Sequence, residues 1–392
     1  MRINGSKAVP GISIGEDMSV TDTDNTPPES NYLDDLAREL HTLRCPSCHG
    51  QSMAIDDSAL RCENCDAIYP LDTAHRITAL IPNNIAEGAK GDIKAFWGDL
   101  YKQLYASTDN DMTPAYLEQA ITDVEDIFLI RGQNCVVEMP YKSLDDAKVL
   151  EIGSGAGSHS CIFKRYGAHV TSVDITPERA VSTAAKLAML KGGQGIAFNA
   201  DAENLPFKDA TFDYVYSNGV LHHSPDTEKC IDEVYRVLKP GGTAVIMLYS
   251  RISSAFLFNI LPRGILTGEM FRWPEAEWIG RLTEGKPKFD NVRNPITRVY
   301  TKKQMTALFH RFQILSLRKW SFQFDNFCVP RLTQIRRWVL LKLGYKLHKG
   351  GTIVYGQPIV PETPLEVWLG QFLGFGWAMK ARKPETPAET GN

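Results

Sequence analysis

Between residues 148 and 249 the chain alternates short β-type runs with helical stretches, and this alternation restricts the fold more than any other feature of the sequence. Residues 149–152, 169–175, 196–201, 212–217 and 243–249 read as five strands. The helices between them carry their own boundary signals. The stretch 158–166 stops at Gly167. Thr176 and Pro177 supply an N-cap and a proline at the first helical position, and that helix runs to about Lys191, before Gly192 and Gly193. Cys230, Ile231, Val234, Val237 and Leu238 share one face of the last helix, which Pro240, Gly241 and Gly242 end. Strands joined through helices run parallel, with helices on both faces of the sheet. The expected fold class is α/β, a doubly wound, Rossmann-like sheet.

The first strand runs into Gly153, Gly155 and Gly157 and then into a helix. Glycines let the backbone approach a ligand, and the helix N-terminus offers unpaired N–H groups to an anionic group. Asp174, at the end of the second strand, stands where a carboxylate can accept both hydroxyls of a ribose. Nicotinamide and flavin cofactors share this logic, but their fingerprint wants a third glycine where this chain has Ser158.

Six motifs in order resemble the class I S-adenosylmethionine-dependent methyltransferases, in particular the group that includes the ubiquinone and menaquinone enzymes. They are the run 149–157, Val173 with Asp174, the run 201–207, Phe212 with Asp213, the run 218–223 and the run 233–242. The resemblance implies a mostly parallel seven-stranded sheet with an antiparallel last strand, formed by 314–322 and 375–382, and insertions at 251–299 and 323–373. It also implies roles. Glu151, Gly153 and Gly155 would hold the methionine end of S-adenosylmethionine and Asp174 its ribose, with Gly157 also among the cofactor-binding residues. Ile175 would pack on adenine, Asp201 and Ala202 would meet the adenine edge, and Asn218 would lie beneath the sulfonium. Ser154 stands where relatives often have cysteine, and the turn needs only a small residue there.

Cys45, Cys48, Cys62 and Cys65 form two pairs thirteen residues apart. Each pair brings two thiolates to one side of a metal, and the two pairs complete a tetrahedron. Four protein ligands leave no open position, so the expected metal is a structural Zn²⁺. His49 and His75 are spare ligands, and Arg44 and Arg61 could offset thiolate charge. The stretch 43–70 is similar to the small zinc ribbons that activate tRNA and release-factor methyltransferases. That likeness admits two roles, stabilising the catalytic domain or touching the substrate. The expected organisation is a disordered tail over 1–30, the ribbon over 31–82, a helical cap over 83–140, the methyltransferase domain over 141–384 and a polar tail over 385–392.

Methyl transfer from a sulfonium needs alignment and exclusion of water, and needs a base only for an acceptor that is protonated. His222 and His223 follow the fourth strand at the ligand-binding edge and are the candidate catalytic residues. Tyr101, Tyr105, Tyr141, Tyr216 and Tyr249 are weaker candidates on the acceptor side. A net charge of −3 asks for no polyanionic partner. Residues 331–349 carry six Lys or Arg and no Asp or Glu, interleaved with apolar residues. Three readings stay open for this segment: a solvated helix face, a patch for an anionic substrate, or a helix on an anionic membrane. The aromatic content of both insertions favours a small-molecule or lipid-linked acceptor. Methylation of RNA and a non-catalytic cofactor-binding activator remain alternatives. With eight cysteines, no signal-peptide core and no long apolar run, the expected location is cytoplasmic, including the inner face of a membrane.

Overall fold

The structure, a computed structural model, describes residues 31–56, 58–82, 88–283 and 293–385. The tail expected over 1–30 and all but the first residue of the one expected over 385–392 lie outside the described residues. Among the described residues, eleven strands follow one another: β1 (Met53–Asp56), β2 (Ala59–Cys62), β3 (Ile68–Asp72), β4 (Ile77–Leu80), β5 (Lys148–Ile152), β6 (His169–Asp174), β7 (Gly195–Ala200), β8 (Phe212–Asn218), β9 (Leu238–Tyr249), β10 (Gln313–Trp320) and β11 (Gly376–Arg382).

Their order in the sheet is β1-β2-β3-β4-β7-β6-β5-β8-β9-β11-β10. The seven strands from β7 to β10 are the expected set. The five central strands are parallel neighbours, and β11 runs antiparallel between β9 and β10. The central strands are buried almost throughout because helices cover both faces, as continuous Val, Ile and Leu runs require. Strand order reverses at β5, which opens a crevice beyond the carboxyl ends of β5, β6 and β8.

The ribbon adds its four strands to the same sheet. Ala79 and Leu80 of β4 pair in parallel with Asn199 and Ala200 of β7. The core follows the sheet: Leu36, Leu43, Leu60 and Tyr69 of the ribbon are buried in one cluster with Phe198, Phe207 and Val234 of the larger domain. On the opposite face, Leu117, Ile121, Val124 and Phe128 of the helix Pro114–Arg131 pack on Ile162 and Phe163. That helix starts at the Thr113 cap, with Pro114 in its first turn, and ends at Gly132 in the left-handed region.

Three boundaries differ from expectation. The helix before β9 ends at Val237 and the strand begins at Leu238, with residues 239–242 bulging out between the pairs Phe212–Leu238 and Tyr214–Thr243. The cap over 83–140 divides, since Ala89–Leu104 lies over the crevice whereas Pro114–Arg131 covers the sheet. Of the basic segment 331–349, only Leu332–Lys342 is helical, and Gly344, with φ of +89°, follows its end.

Candidate active site

A cleft of about 1150 Å³, partly open to solvent, occupies the crevice. Gly153, Gly155, Asp174, Ile175, Asp201, Ala202, Asn218 and His223 line it. Glu151, Gly157 and His222 are not on its wall.

The glycine turn is built for close approach. Gly153 sits at φ +75°, and a Cβ there would lie 2.3 Å from the side chain of Val220. Gly155 sits at φ +57°, and its N–H donates to Asp174 Oδ2 at 3.1 Å. Asp174 Oδ1 accepts from the N–H of Thr176 at 2.9 Å, so both oxygens are fixed in orientation at the end of β6. Burial pushes this carboxyl up from its ordinary pKa, against the pull of Arg179 and the two N–H groups. Gly157 serves packing: a Cβ would meet Thr183 Oγ1 at 3.0 Å, on the helix Pro177–Met189.

Glu151 turns away from the cleft. Its carboxylate accepts from the Ser160 N–H at 2.9 Å and from the Ser160 hydroxyl, and lies 3.1 Å from His159 Nδ1. It is His159 that reaches the cleft wall, stacked on Phe128 with ring centres 5.2 Å apart. Glu151 therefore positions a wall residue that the sequence reading did not single out.

Lys90, Trp97 and Arg179 were missed in the same way. Lys90 Nζ lies 2.5 Å from Asp201 Oδ2 and 2.7 Å from Glu203 Oε2. Burial lowers the pKa of this ammonium, but the two carboxylates outweigh it and hold it above its ordinary value. The Arg179 guanidinium stands 5.2 Å from the Trp97 ring centre and 5.8 Å from that of Tyr105, a cation–π arrangement on the open side. Lys90 and Trp97 follow the tertiary path of the helix Ala89–Leu104, which no local motif announces, and Arg179 stands in the first turn of the helix Pro177–Met189.

Beyond the glycine turn, Asn218 Oδ1 and His223 Nε2 are buried with no hydrogen-bond partner among the described residues. His223 Nδ1 faces the Ile296 carbonyl at 3.1 Å and Thr297 Oγ1 at 3.0 Å. The Asn294 amide Nδ2, which can only donate, lies 2.9 Å from the same nitrogen and the carbonyl can only accept, so Nδ1 has a partner in either tautomer, while Nε2 has none among the described residues. Burial pushes the His223 pKa down to about 4, which leaves a neutral imidazole at neutral pH. His222 lies behind it, fully buried, with its ring centre 3.8 Å from that of Tyr249. Burial first, and His223 second, hold its pKa well below the ordinary value. Of the five tyrosines considered, Tyr105 alone lines the cleft. Tyr101, Tyr141 and Tyr216 donate to Asp109, Glu125 and Asn134.

The four ribbon cysteines converge, with all sulfurs within 4.8 Å of one another. The Cys45–Cys65 and Cys48–Cys62 separations are 3.7 and 3.6 Å. Sulfurs on a tetrahedron with bonds of about 2.3 Å stand ~3.8 Å apart, so the set fits a zinc-sized ion. The two knuckles are built alike. His49 and Asp66, each following the second cysteine of a pair, take φ of +62° and +58°. Gly50 and Asn64 donate N–H groups to Cys48 and Cys62 sulfurs at 3.4 Å. His49 and His75 are not ligands here but bond to Asn204 and Asp72. Arg44 pairs with Glu233 and Arg61 with Asp56, so neither is devoted to the thiolates.

The first knuckle also grips the loop that follows Asp201. Asn204 Nδ2 donates to the Pro46 carbonyl at 2.7 Å, and Arg44 N–H donates to that of Pro206 at 3.0 Å.

Residues 150–246 match the methyltransferase domain family. A ubiquinone biosynthesis O-methyltransferase of Xylella fastidiosa is 33% identical over 121 residues, 30% of this chain and 48% of that protein. The phosphoethanolamine N-methyltransferase 2 of Caenorhabditis elegans is 33% identical over 104 residues, 26% of this chain and 24% of that protein. The chain thus spans about half the length, or less, of these two relatives. Among solved structures, a SAM-dependent methyltransferase of Methanosarcina mazei matches at 19% identity and a TM-score of 0.41, over 62% of this chain and 94% of that one.

Proposed function

From the methyltransferase domain as premise, we propose that this protein transfers a methyl group from S-adenosylmethionine to a small-molecule or lipid-linked acceptor by in-line displacement. The observation that carries the acceptor side is the pair of buried, unpartnered atoms Asn218 Oδ1 and His223 Nε2 beside the glycine turn. When bound, the cofactor supplies an electrophilic methyl group on a good leaving group. Gly153 and Gly155 give the backbone access that its methionine end needs. Asp174 offers fixed acceptors for ribose hydroxyls, and Asp201 with Ala202 borders the adenine. Trp97 and Val354 restrict water and present apolar surface to the acceptor. His223 Nε2, neutral at neutral pH, takes the proton of an acceptor hydroxyl, amine or carbon acid. His222 packs behind it and holds its ring in place.

Zn²⁺ in the four-thiolate cage would be structural, since four protein ligands complete its tetrahedron. No helix among the described residues is long and apolar enough to cross a membrane. RNA is the less favoured acceptor because the ribbon arginines Arg44, Arg61 and Arg76 are all paired with carboxylates, which leaves no basic path from ribbon to cleft through them. The relatives named for a quinone-pathway and a phosphoethanolamine methyltransferase support the small-molecule class.

The test uses methyl-labelled S-adenosylmethionine with total RNA in one tube and a solvent extract of lipids and metabolites in another. Nuclease-resistant label in the extract is the expected result. Label in RNA overturns the acceptor class, and tight cofactor binding without turnover in either tube favours the activator reading.

A further inference from the structure

The helix Leu332–Lys342 touches the rest of the molecule along one narrow line. Leu332, Arg336 and Leu340, four residues apart, are its only residues that are not exposed. Arg336 anchors it through a bidentate pair with Glu366, 2.7 Å for each bond, on the helix Pro364–Leu373. Arg336 also donates to the carbonyls of Val360 and Pro361. Everything else on this helix points to solvent, including Ile335, Val339, Leu341 and Trp338, which is 62% exposed. An ordinary surface helix turns its apolar stripe inward and its polar face outward. This one turns Leu332, Arg336 and Leu340 inward and leaves Ile335, Trp338, Val339 and Leu341 exposed among its polar residues.

The exposed apolar surface continues onto neighbouring elements. On the helix Pro364–Leu373, Leu365, Trp368 and Phe372 are more than half exposed. Lys319 Nζ donates to the carbonyls of Phe372 and Ile252, which places exposed Ile252 beside that helix. Exposed Phe258 stacks on Phe327 with centres 5.0 Å apart, and its carbonyl accepts from the Cys328 N–H at 2.8 Å. Three segments distant in sequence thus carry exposed aromatic and aliphatic residues on elements joined by these contacts.

Charge decides what covers it. Arg331, Arg337, Lys342, Lys346 and Lys349 are all exposed, and none forms an ion pair among the described residues. No acid occurs in 331–349, although the whole chain carries −3. A second copy docked face to face would oppose five cations to five. A surface of anionic lipid headgroups over acyl chains complements both the cations and the apolar rings. We propose that this face rests on an anionic bilayer, lying on it rather than through it.

The position of the face suits the acceptor reading above, on which only the acceptor's source depends. Five residues past Lys349, Val354 lines the cleft, and its carbonyl accepts from Tyr105 Oη at 3.0 Å. An apolar acceptor leaving the bilayer would meet the cleft wall along the same segment.

The test is flotation of the full chain with vesicles of phosphatidylcholine alone and of phosphatidylcholine and phosphatidylglycerol in equal parts, at low and high salt. Binding to the anionic vesicles that weakens with salt is expected. The double variant K342Q/K346Q should lose about fivefold in partitioning per lysine removed. W338S/W368S should also detach, and both variants should bind S-adenosylmethionine as the unaltered chain does, which reports an intact fold. Failure to bind anionic vesicles, or undiminished binding by W338S/W368S, overturns the proposal. So does a stable dimer in solution that W338S dissociates, which would make the second copy the occupant. Vesicle binding with label found only in RNA would leave the docking face standing and remove the lipid-linked acceptor.

Discussion

At Gly153 the backbone and the neighbouring side chain impose the same restriction. Its φ of +75° strains any L-residue, and Val220 leaves no room for a Cβ. Gly153→Ala should therefore weaken S-adenosylmethionine binding by at least about tenfold, roughly 1.4 kcal/mol, measurable by calorimetry. His223 makes a different prediction. His223→Asn keeps a polar side chain but removes the base, so turnover should fall by about 10²- to 10⁴-fold while cofactor affinity holds. In the unaltered protein the acid limb of the rate profile should centre near pH 4 rather than near 6.5, because burial keeps the ring neutral. A limb at 6.5 would remove His223 from proton transfer. The glycines and Asp174 could be read from sequence because backbone geometry and strand ends enforce them locally. Lys90 could not, since it reaches the cleft through packing between elements far apart in the chain, and His159 and Arg179, although close in sequence to Gly157 and Asp174, belong to no motif that marks them.

Among the elements, the ribbon is the one whose placement changes the expected chemistry. Its first knuckle holds the loop that follows Asp201 through Pro46 and Arg44, and Lys90, on the helix Ala89–Leu104, pairs with Asp201 itself. Removing the metal with a chelator should lower the thermal midpoint and also raise the dissociation constant for S-adenosylmethionine, by about tenfold. Asn204→Ala, which cuts the contact without touching the cage, should reproduce the second effect with the metal content unchanged. An unaltered dissociation constant in both cases would limit the ribbon to stabilisation. Cysteine spacing announced the cage, and strand–helix alternation announced β5 to β9. The continuous sheet was not legible, because β4 is four residues long and its pairing with β7 depends on register across the fold. The helical content of 331–349 was overestimated for a related reason: its charge and apolar pattern do not register the turn that Gly344 imposes.

For the molecule as a whole, the two buried histidines tie stability to pH. In the fold His223 titrates near 4 against an ordinary value of 6.5, and His222 is shifted in the same direction. The unfolded chain therefore binds more protons between these values, so stability is full above about pH 6.5 and declines as the pH falls toward 4. Urea denaturation at pH 7 and pH 5 should show a loss of order a few kcal/mol, and H222Q/H223Q should flatten it. The shared core and sheet bear on how the chain is made. Asn204 and Pro46, which clasp ribbon to domain, are 158 residues apart. At ordinary rates of translation, the ribbon emerges roughly ten to thirty seconds before the loop it is to hold. During that interval β4 is paired on one edge only, with β3, and the cage has to hold the module without the shared core. Scarcity of metal during synthesis would then strike the nascent chain, before there is an enzyme to inhibit.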